Sequence, residues 1–241
     1  MTAQVKQRAL ITGASSGIGR ATALAFAQAG FDLALVGRNQ QRLQAVAESA
    51  IAAGVDARTY CVDLADVAQV RSQLEAIVAD LGVVDVLINN AGMGYTGKLA
   101  ETSLADWQQV LNLNLTSVFQ CIQAVLPGMR QRGQGTIINL ASVAGHQAFP
   151  DWGPYCVSKF GLVALSKTLA AEERSHGIRV ITVSPGAVNT PIWDTATVHA
   201  DFDRSQMLSP EVVAQTLLQA ALLPQEAVIE DLTLMPSGGA F

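Results

Sequence analysis

A single α/β domain, with a doubly wound parallel sheet of seven strands and helices on both faces, is the architecture that this 241-residue sequence predicts. Three observations predict it. Short β-like runs alternate with helical stretches from end to end. No linker-like composition or repeat interrupts them, so one domain is expected over residues 1–241. Half of the residues are hydrophobic, ample for one large core.

The elements follow in order, each strand a short run of apolar or β-favouring residues and each helix a longer stretch behind it. "ALIT" (9–12) breaks into glycines and then the helix "GIGRATALAFAQAG". "DLALVG" (32–37) is followed by "QQRLQAVAESAIAAG", and "ARTYCVDL" (57–64) by a helix near 66–81. "VDVLINN" (84–90) precedes a helix near 107–131, and "GTIINLAS" (135–142) precedes "PYCVSKFGLVALSKTLAAEERSHG". "IRVITVS" (178–184) leads through a loop to a helix near 209–222, and "AVIEDLTLM" (227–235) reads as the last strand. Repeated strand–helix units imply right-handed crossovers and therefore parallel pairing.

The bulk numbers narrow the function. A net charge of −5 argues against a nucleic-acid partner, because phosphate binding wants a basic footprint. Charged residues are only 15% of the chain, and so much apolar content suggests surface buried between subunits. Cys61, Cys121 and Cys156 have neither CxxC nor metal-ligand spacing; they read as reduced thiols of a cytoplasmic protein, with no metal expected. The N-terminal "MTAQVKQRALITG" lacks a signal-peptide core. Residues 107–129 carry no Asp, Glu, Lys or Arg, but Gln108, Gln109, Asn112, Asn114, Gln120 and Gln123 interrupt them. That stretch reads as a buried or interface helix, and no membrane partner is expected.

After the first strand comes "TGASSGIGR", with Gly13, Gly17 and Gly19 spaced Gly-x3-Gly-x-Gly. A strand, a glycine turn and a helix start bring backbone N–H groups and the helix dipole to a pyrophosphate, and a Cβ there would block the close approach. After the second strand, Gly37 occupies the place where an acid often binds ribose hydroxyls, and Arg38 follows it. Gly37 leaves room for a 2′-phosphate that Arg38 can grip, which points to NADP(H). Asp63, Asn89–Gly92, Ser142 and "SPG" (184–186) all stand at strand ends. In an open parallel sheet those ends form the edge where ligands bind.

Taken together, "TGASSGIG", "NNAG", Ser142, Tyr155-x3-Lys159 and "PGAVNT" (185–190) resemble the short-chain dehydrogenase/reductase family in its compact, single-domain branch, over residues 8–235. The resemblance implies a Rossmann-type fold and a hydride transfer between nicotinamide C4 and a ketone or secondary alcohol. It makes Tyr155 the general acid/base, with Lys159 holding the nicotinamide ribose and Ser142 the substrate oxygen. Asn114 holds a water that links Lys159 to solvent. Pro154 can start a helix, placing Tyr155 in its first turn and Lys159 one turn later on the same face. A free tyrosine titrates near ~10, so a nearby Lys159 ammonium and the nicotinamide's positive charge are expected to lower that value.

The same resemblance puts Ser15, Ile18, Asn90 and Gly92 along the cofactor, Asp63 beside adenine, and Pro185, Gly186 and Thr190 at the nicotinamide end. A mobile lid is expected over about 187–207, with Trp193 closing over the substrate and Val143, His146, Phe149 and Trp152 lining the other side. The helices near 107–131 and 154–175 resemble the pair that builds a four-helix contact in a homotetramer. Two other readings stay open: a 3-oxoacyl-carrier-protein reductase, for which Arg130 and Arg132 are candidate docking cations, and a regulator that binds NADP(H) without turnover.

Overall fold

The computed structural model describes residues 6–200 and 202–239. The strands are β1 (Arg8–Thr12), β2 (Asp32–Gly37), β3 (Ala57–Cys61), β4 (Val86–Asn89), β5 (Gly135–Leu140), β6 (Ile178–Pro185) and β7 (Asp231–Leu234). They form one seven-stranded sheet in the order β3-β2-β1-β4-β5-β6-β7. Every neighbouring pair is parallel. The expected α/β class, strand number and parallel pairing are all found. The order reverses between β1 and β4, which opens a crevice at the carboxyl edge there.

The helices are α1 (Gly17–Gln28), α2 (Gln40–Ala52), α3 (Val70–Leu81), α4 (Leu104–Leu111), α5 (Ser117–Arg132), α6 (Gly153–Glu173) and α7 (Pro210–Ala221). Two apolar layers sandwich the sheet. One packs α1, α2 and α7 against Ile11, Leu35, Ile88 and Ile181. The other packs α3, α5 and α6 against Leu10, Val36, Leu87 and Ile137. In the central strands alternate residues therefore feed opposite layers, as parallel strands buried on both faces require.

Several element ends differ from the sequence reading. The run 57–64 stops as a strand at Cys61, and Asp63 turns the chain by accepting a hydrogen bond from Ala65 N at 3.0 Å. The run 227–235 shortens to Asp231–Leu234. The helix near 107–131 is a composite: α4 and α5 are joined by five residues wound as a π-helix, Asn112–Thr116. By length and composition, Leu104–Arg132 could cross a membrane, but half of its most apolar window is buried inside the fold. The helix expected over 154–175 ends as α6 at Glu173. A 3-10 turn and Gly177, at φ 71, follow it.

Buried polar groups tie α6 to the sheet. Asn89 Nδ2 on β4 donates to Asn139 Oδ1 on β5 at 2.9 Å, and Asn139 Nδ2 donates to Ser166 Oγ on α6 at 2.9 Å. Near the far end of α6, Glu173 is buried and receives Arg130 of α5 in a two-pronged pair, with Nε at 2.8 Å. That guanidinium holds the Glu173 carboxyl below its ordinary pKa.

Candidate active site

The glycine turn between β1 and α1 is built by close approach. Gly13 and Gly17 have φ 66 and 50, the left-handed region that favours glycine. A Cβ on Gly19 would stand 2.2 Å from the Gly13 carbonyl oxygen, and one on Gly13 would stand 2.7 Å from Asn90 Nδ2. Thr12 staples this turn to the next: its Oγ1 accepts from Asn90 N and Ala91 N, both at 3.0 Å, while Asn90 Nδ2 donates to Thr12 O at 2.8 Å. The Ser16 side chain makes no capping bond to α1, and the first turn holds no acid. The N–H groups of that turn thus receive no side-chain cap from Ser16, the arrangement in which a helix start can take an anion.

Beside this turn, Gly37 is buried at the end of β2, and a Cβ there would lie 3.6 Å from Ser15 Oγ. Arg38 follows it on the exposed edge, and Asp63 is exposed beyond Cys61, the register partner of Gly37. Ile18 is half-buried against the core. Ser15, Gly37, Arg38 and Asp63 therefore form one edge over β1–β3.

Across the switch point, Asn114, Ser142, Tyr155 and Lys159 come together. Ser142 lies two residues beyond β5 and caps the 3-10 turn Val143–Gly145 through Ala144 N at 3.2 Å. Gly145 allows that turn to lie against α6, because a Cβ would stand 2.8 Å from Lys159 O. Burial pushes the Tyr155 phenol above its ordinary pKa, against a hydrogen bond from Ser142 that favours the phenolate. The lowering expected from the sequence counts Lys159 and the nicotinamide charge together; burial among the protein's own groups works in the opposite direction. Lys159 Nζ, 5.7 Å from the Tyr155 ring centre, is aimed at Leu140 O at 2.8 Å, and desolvation dominates. Asn114 is fully buried in the π-wound turn; a Cβ on Gly92 would stand 3.3 Å from its Oδ1 and 3.8 Å from Lys159 Nζ.

On the outer side, Trp152 lies edge-on to Tyr155 with ring centres 5.5 Å apart, and Trp193 lies 5.9 Å from Trp152. Val143 and Phe149 are half-buried along the chain between Ser142 and Trp152. Gly186 N donates to Leu234 O at 2.8 Å, which sets the turn after Pro185. Thr190 meets the glycine turn, since a Cβ on Gly17 would stand 3.2 Å from its side chain. His146 is drawn elsewhere: Nε2 lies 2.9 Å from Ser184 Oγ on β6 and 3.9 Å from Asp231 on β7. The structure groups it with those strands rather than with the tryptophan pair. Among the described residues, no group of three or more His, Cys, Asp or Glu could hold a metal ion.

A family model described as short chain dehydrogenase matches residues 7–200. The chain belongs to the short-chain dehydrogenase family. A sepiapterin reductase of Chlorobaculum tepidum is 36% identical over 242 residues, covering 98% of both chains. A 3-oxoacyl-(acyl-carrier-protein) reductase of Staphylococcus aureus is 36% identical, covering 86% of this chain and 83% of its own. An alcohol dehydrogenase from the archaeon Thermococcus sibiricus, solved in complex with 5-hydroxy-NADP, superposes with a TM-score of 0.88 at 28% identity, covering 97% of this chain and 98% of its own.

Ser158 is a site residue that the sequence reading of this short-chain dehydrogenase missed. Its Oγ accepts from Asn114 Nδ2 at 3.0 Å and donates to Tyr155 O at 2.7 Å. Its place inside the Tyr155–Lys159 interval was the available signal.

Lys159 is buried, and desolvation lowers its pKa from 10.5 to about 8. Between those values the folded protein binds fewer protons than the unfolded chain, so this group makes stability rise with pH. The charge exacts its full cost below about 8. Urea midpoints of wild type and Lys159→Met at pH 7 and 9.5 test this. Wild type is expected to gain on the variant by about 1.4 kcal/mol per pH unit above 8. A constant difference would contradict it.

Proposed function

We propose that this chain is an NADP(H)-dependent oxidoreductase that interconverts a ketone and a secondary alcohol, with Tyr155 as the proton donor and acceptor. One observation carries the reading: the Tyr155 phenol, Ser142 hydroxyl and buried Lys159 ammonium converge at the switch-point edge, next to a helix N-terminus without a side-chain cap. The edge fits a dinucleotide phosphate: Gly13, Ser15, Gly17, Ile18 and Gly19 would hold the pyrophosphate, Arg38 the 2′-phosphate, and Asp63 the adenine. Asn90 and Gly92 would border the ribose held by Tyr155 and Lys159, and Pro185, Gly186 and Thr190 the nicotinamide. The Thermococcus sibiricus relative, solved with a hydroxylated NADP, supports the choice of cofactor.

When bound, NADPH supplies a hydride to the carbonyl carbon. Ser142 orients the carbonyl oxygen and hydrogen-bonds the charge that develops there. Tyr155 delivers its proton to that oxygen, giving the alcohol. A phenol is protonated at neutral pH, which suits the donor role. Lys159 and a water held near Asn114 return a proton to Tyr155. Because cells keep NADPH reduced, ketone reduction is the favoured direction.

The carrier-protein reading, which the Staphylococcus aureus relative favours, is weakened by charge. Arg130 is engaged by buried Glu173, and Arg132 donates to Val84 O at 2.7 Å and lies 3.9 Å from Asp85. Both guanidiniums are thus partly committed to partners within the protein.

We also propose a homotetramer. Phe119, Val157 and Phe160 on α5 and α6 are 44–45% exposed, an apolar face suited to a second copy. Light scattering should return four times the monomer mass; a monomer would reject this.

Two further outcomes are expected. Tyr155→Phe should lower turnover at least about a thousandfold while NADPH still binds, as read by fluorescence of the bound nucleotide; near-normal rates would remove Tyr155 from the chemistry. Initial rates with NADPH and NADH on an activated ketone should favour NADPH. Arg38→Asp should reduce the NADPH rate far more than the NADH rate. Equal losses would mean that Arg38 does not read the 2′-phosphate, and binding of both nucleotides without oxidation of either would leave a regulator.

A further inference from the structure

The chain's own aromatic residues bear on the substrate class, an inference that rests on the reductase reading above. Trp152 meets the Tyr155 ring at 5.5 Å and 65°, Trp193 meets Trp152 at 5.9 Å and 73°, and Phe202 meets Trp193 at 5.3 Å and 80°. The row starts at the proposed proton donor and runs outward along the 191–207 segment. Each edge-on contact sets one ring's edge against its neighbour's face, and Trp152 and Trp193 are half-buried, with part of each side chain still open to a ligand.

Both tryptophans are held in place. Trp193 Nε1 donates to Val188 O at 2.8 Å. Trp152 bridges Gly97, whose N–H donates to Asp151 O at 2.8 Å. Asp151, at φ 66, is the one positive-φ residue other than glycine among the described residues. That strained conformation sits directly before Trp152 and turns the chain into α6. The neighbouring chain packs closely on the row and is apolar: a Cβ on Gly94 would stand 2.7 Å from Val198 Cγ2 and 3.6 Å from both Ile192 Cγ1 and the Trp152 ring. Thr197 Oγ1 donates to Gly94 O at 2.8 Å and Thr96 N to Thr197 O at 2.8 Å, which latches the segment across the site.

The flanking cations are matched within the protein. Lys98 Nζ lies 2.8 Å from Asp151, and Arg204 pairs with Asp194 at 2.6 Å. A carboxylate or phosphate on the substrate would shed water there without a charge to meet it. An aryl ring would gain edge and face contacts worth about two- to tenfold each in binding.

We propose that Trp152 and Trp193 select an uncharged carbonyl compound bearing an aryl group. The ring lies against the tryptophan pair, and the carbonyl oxygen reaches Tyr155 and Ser142.

The test compares kcat/KM for acetophenone, 2-octanone and acetoacetate with NADPH, in wild type, Trp152→Leu, Trp193→Leu and Trp193→Phe. Wild type should prefer acetophenone to 2-octanone by about tenfold or more, with acetoacetate last. The ratio should fall toward one in both leucine variants and return in Trp193→Phe. A wild-type ratio near one, or a ratio that neither leucine variant moves, would overturn the inference. Saturation-transfer NMR with 1-phenylethanol and 2-octanol reads binding apart from turnover. If no carbonyl is reduced, transfer selective for the phenyl protons and lost in the leucine variants would uphold the aromatic site while the reductase reading fell. Equal transfer to both alcohols would overturn the site.

Discussion

The carboxamide of Asn114 is the interaction on which the rest of the site depends. It is fully buried, accepts from Met93 N at 2.9 Å, and donates to Met93 O at 2.9 Å and Ser158 Oγ at 3.0 Å. Ser158 in turn donates to Tyr155 O at 2.7 Å. One side chain thus joins the turn after β4, the junction of α4 with α5, and the first turns of α6. Each of these groups, left unpaired in the interior, would cost about 1–3 kcal/mol, so the bonds favour one arrangement of the three segments. The π-wound turn Asn112–Thr116 lets Asn114 sit at that junction, a departure from regular helix of the kind found at functional sites.

That junction has a counterpart on each side. Towards β1, Thr12 and Asn90 stitch the glycine turn to the "NNAG" turn, so the anion cradle and the Asn114 junction share one backbone. Towards β5 and β6, the Asn89–Asn139–Ser166 chain fixes α6 two turns beyond Lys159. Buried polar groups of this kind stabilise only when satisfied, and then they specify a single arrangement. Lys159 runs against stability: its charge is buried, with one hydrogen bond from Nζ to Leu140 O. A desolvated ammonium beside the phenol is unfavourable for folding, and on the proposed reading it is what the chemistry requires.

The outer half of the site follows different physics. There the contacts are aromatic edges, a glycine without a side chain and paired surface ions, and they come from segments far apart in the chain: 94–99, 149–152 and 191–207. The inner half is built to hold polar groups in register. The outer half offers shape and π surface, which is where members of one fold can differ in substrate without disturbing the proton-handling residues.

The sequence by itself determined the α/β class, the seven strands, their parallel pairing and the family. Those properties rest on local patterns, namely apolar runs, glycines at a turn, and the Tyr155–Lys159 interval on one helix face. It also placed Asn89–Gly92, Ser142 and 184–186 on one edge, because strand ends in a parallel sheet share that edge whatever the side chains do, while Asn114, Tyr155 and Lys159 were named by the family resemblance. Only the tertiary structure decided the π-wound turn, the Ser158 link, the pairing of Arg130 with Glu173, the drift of His146 towards Ser184, and the upward shift of Tyr155. Each of these depends on which distant groups become neighbours and on how much water the packing excludes. Neither quantity is carried by residues close together in the chain.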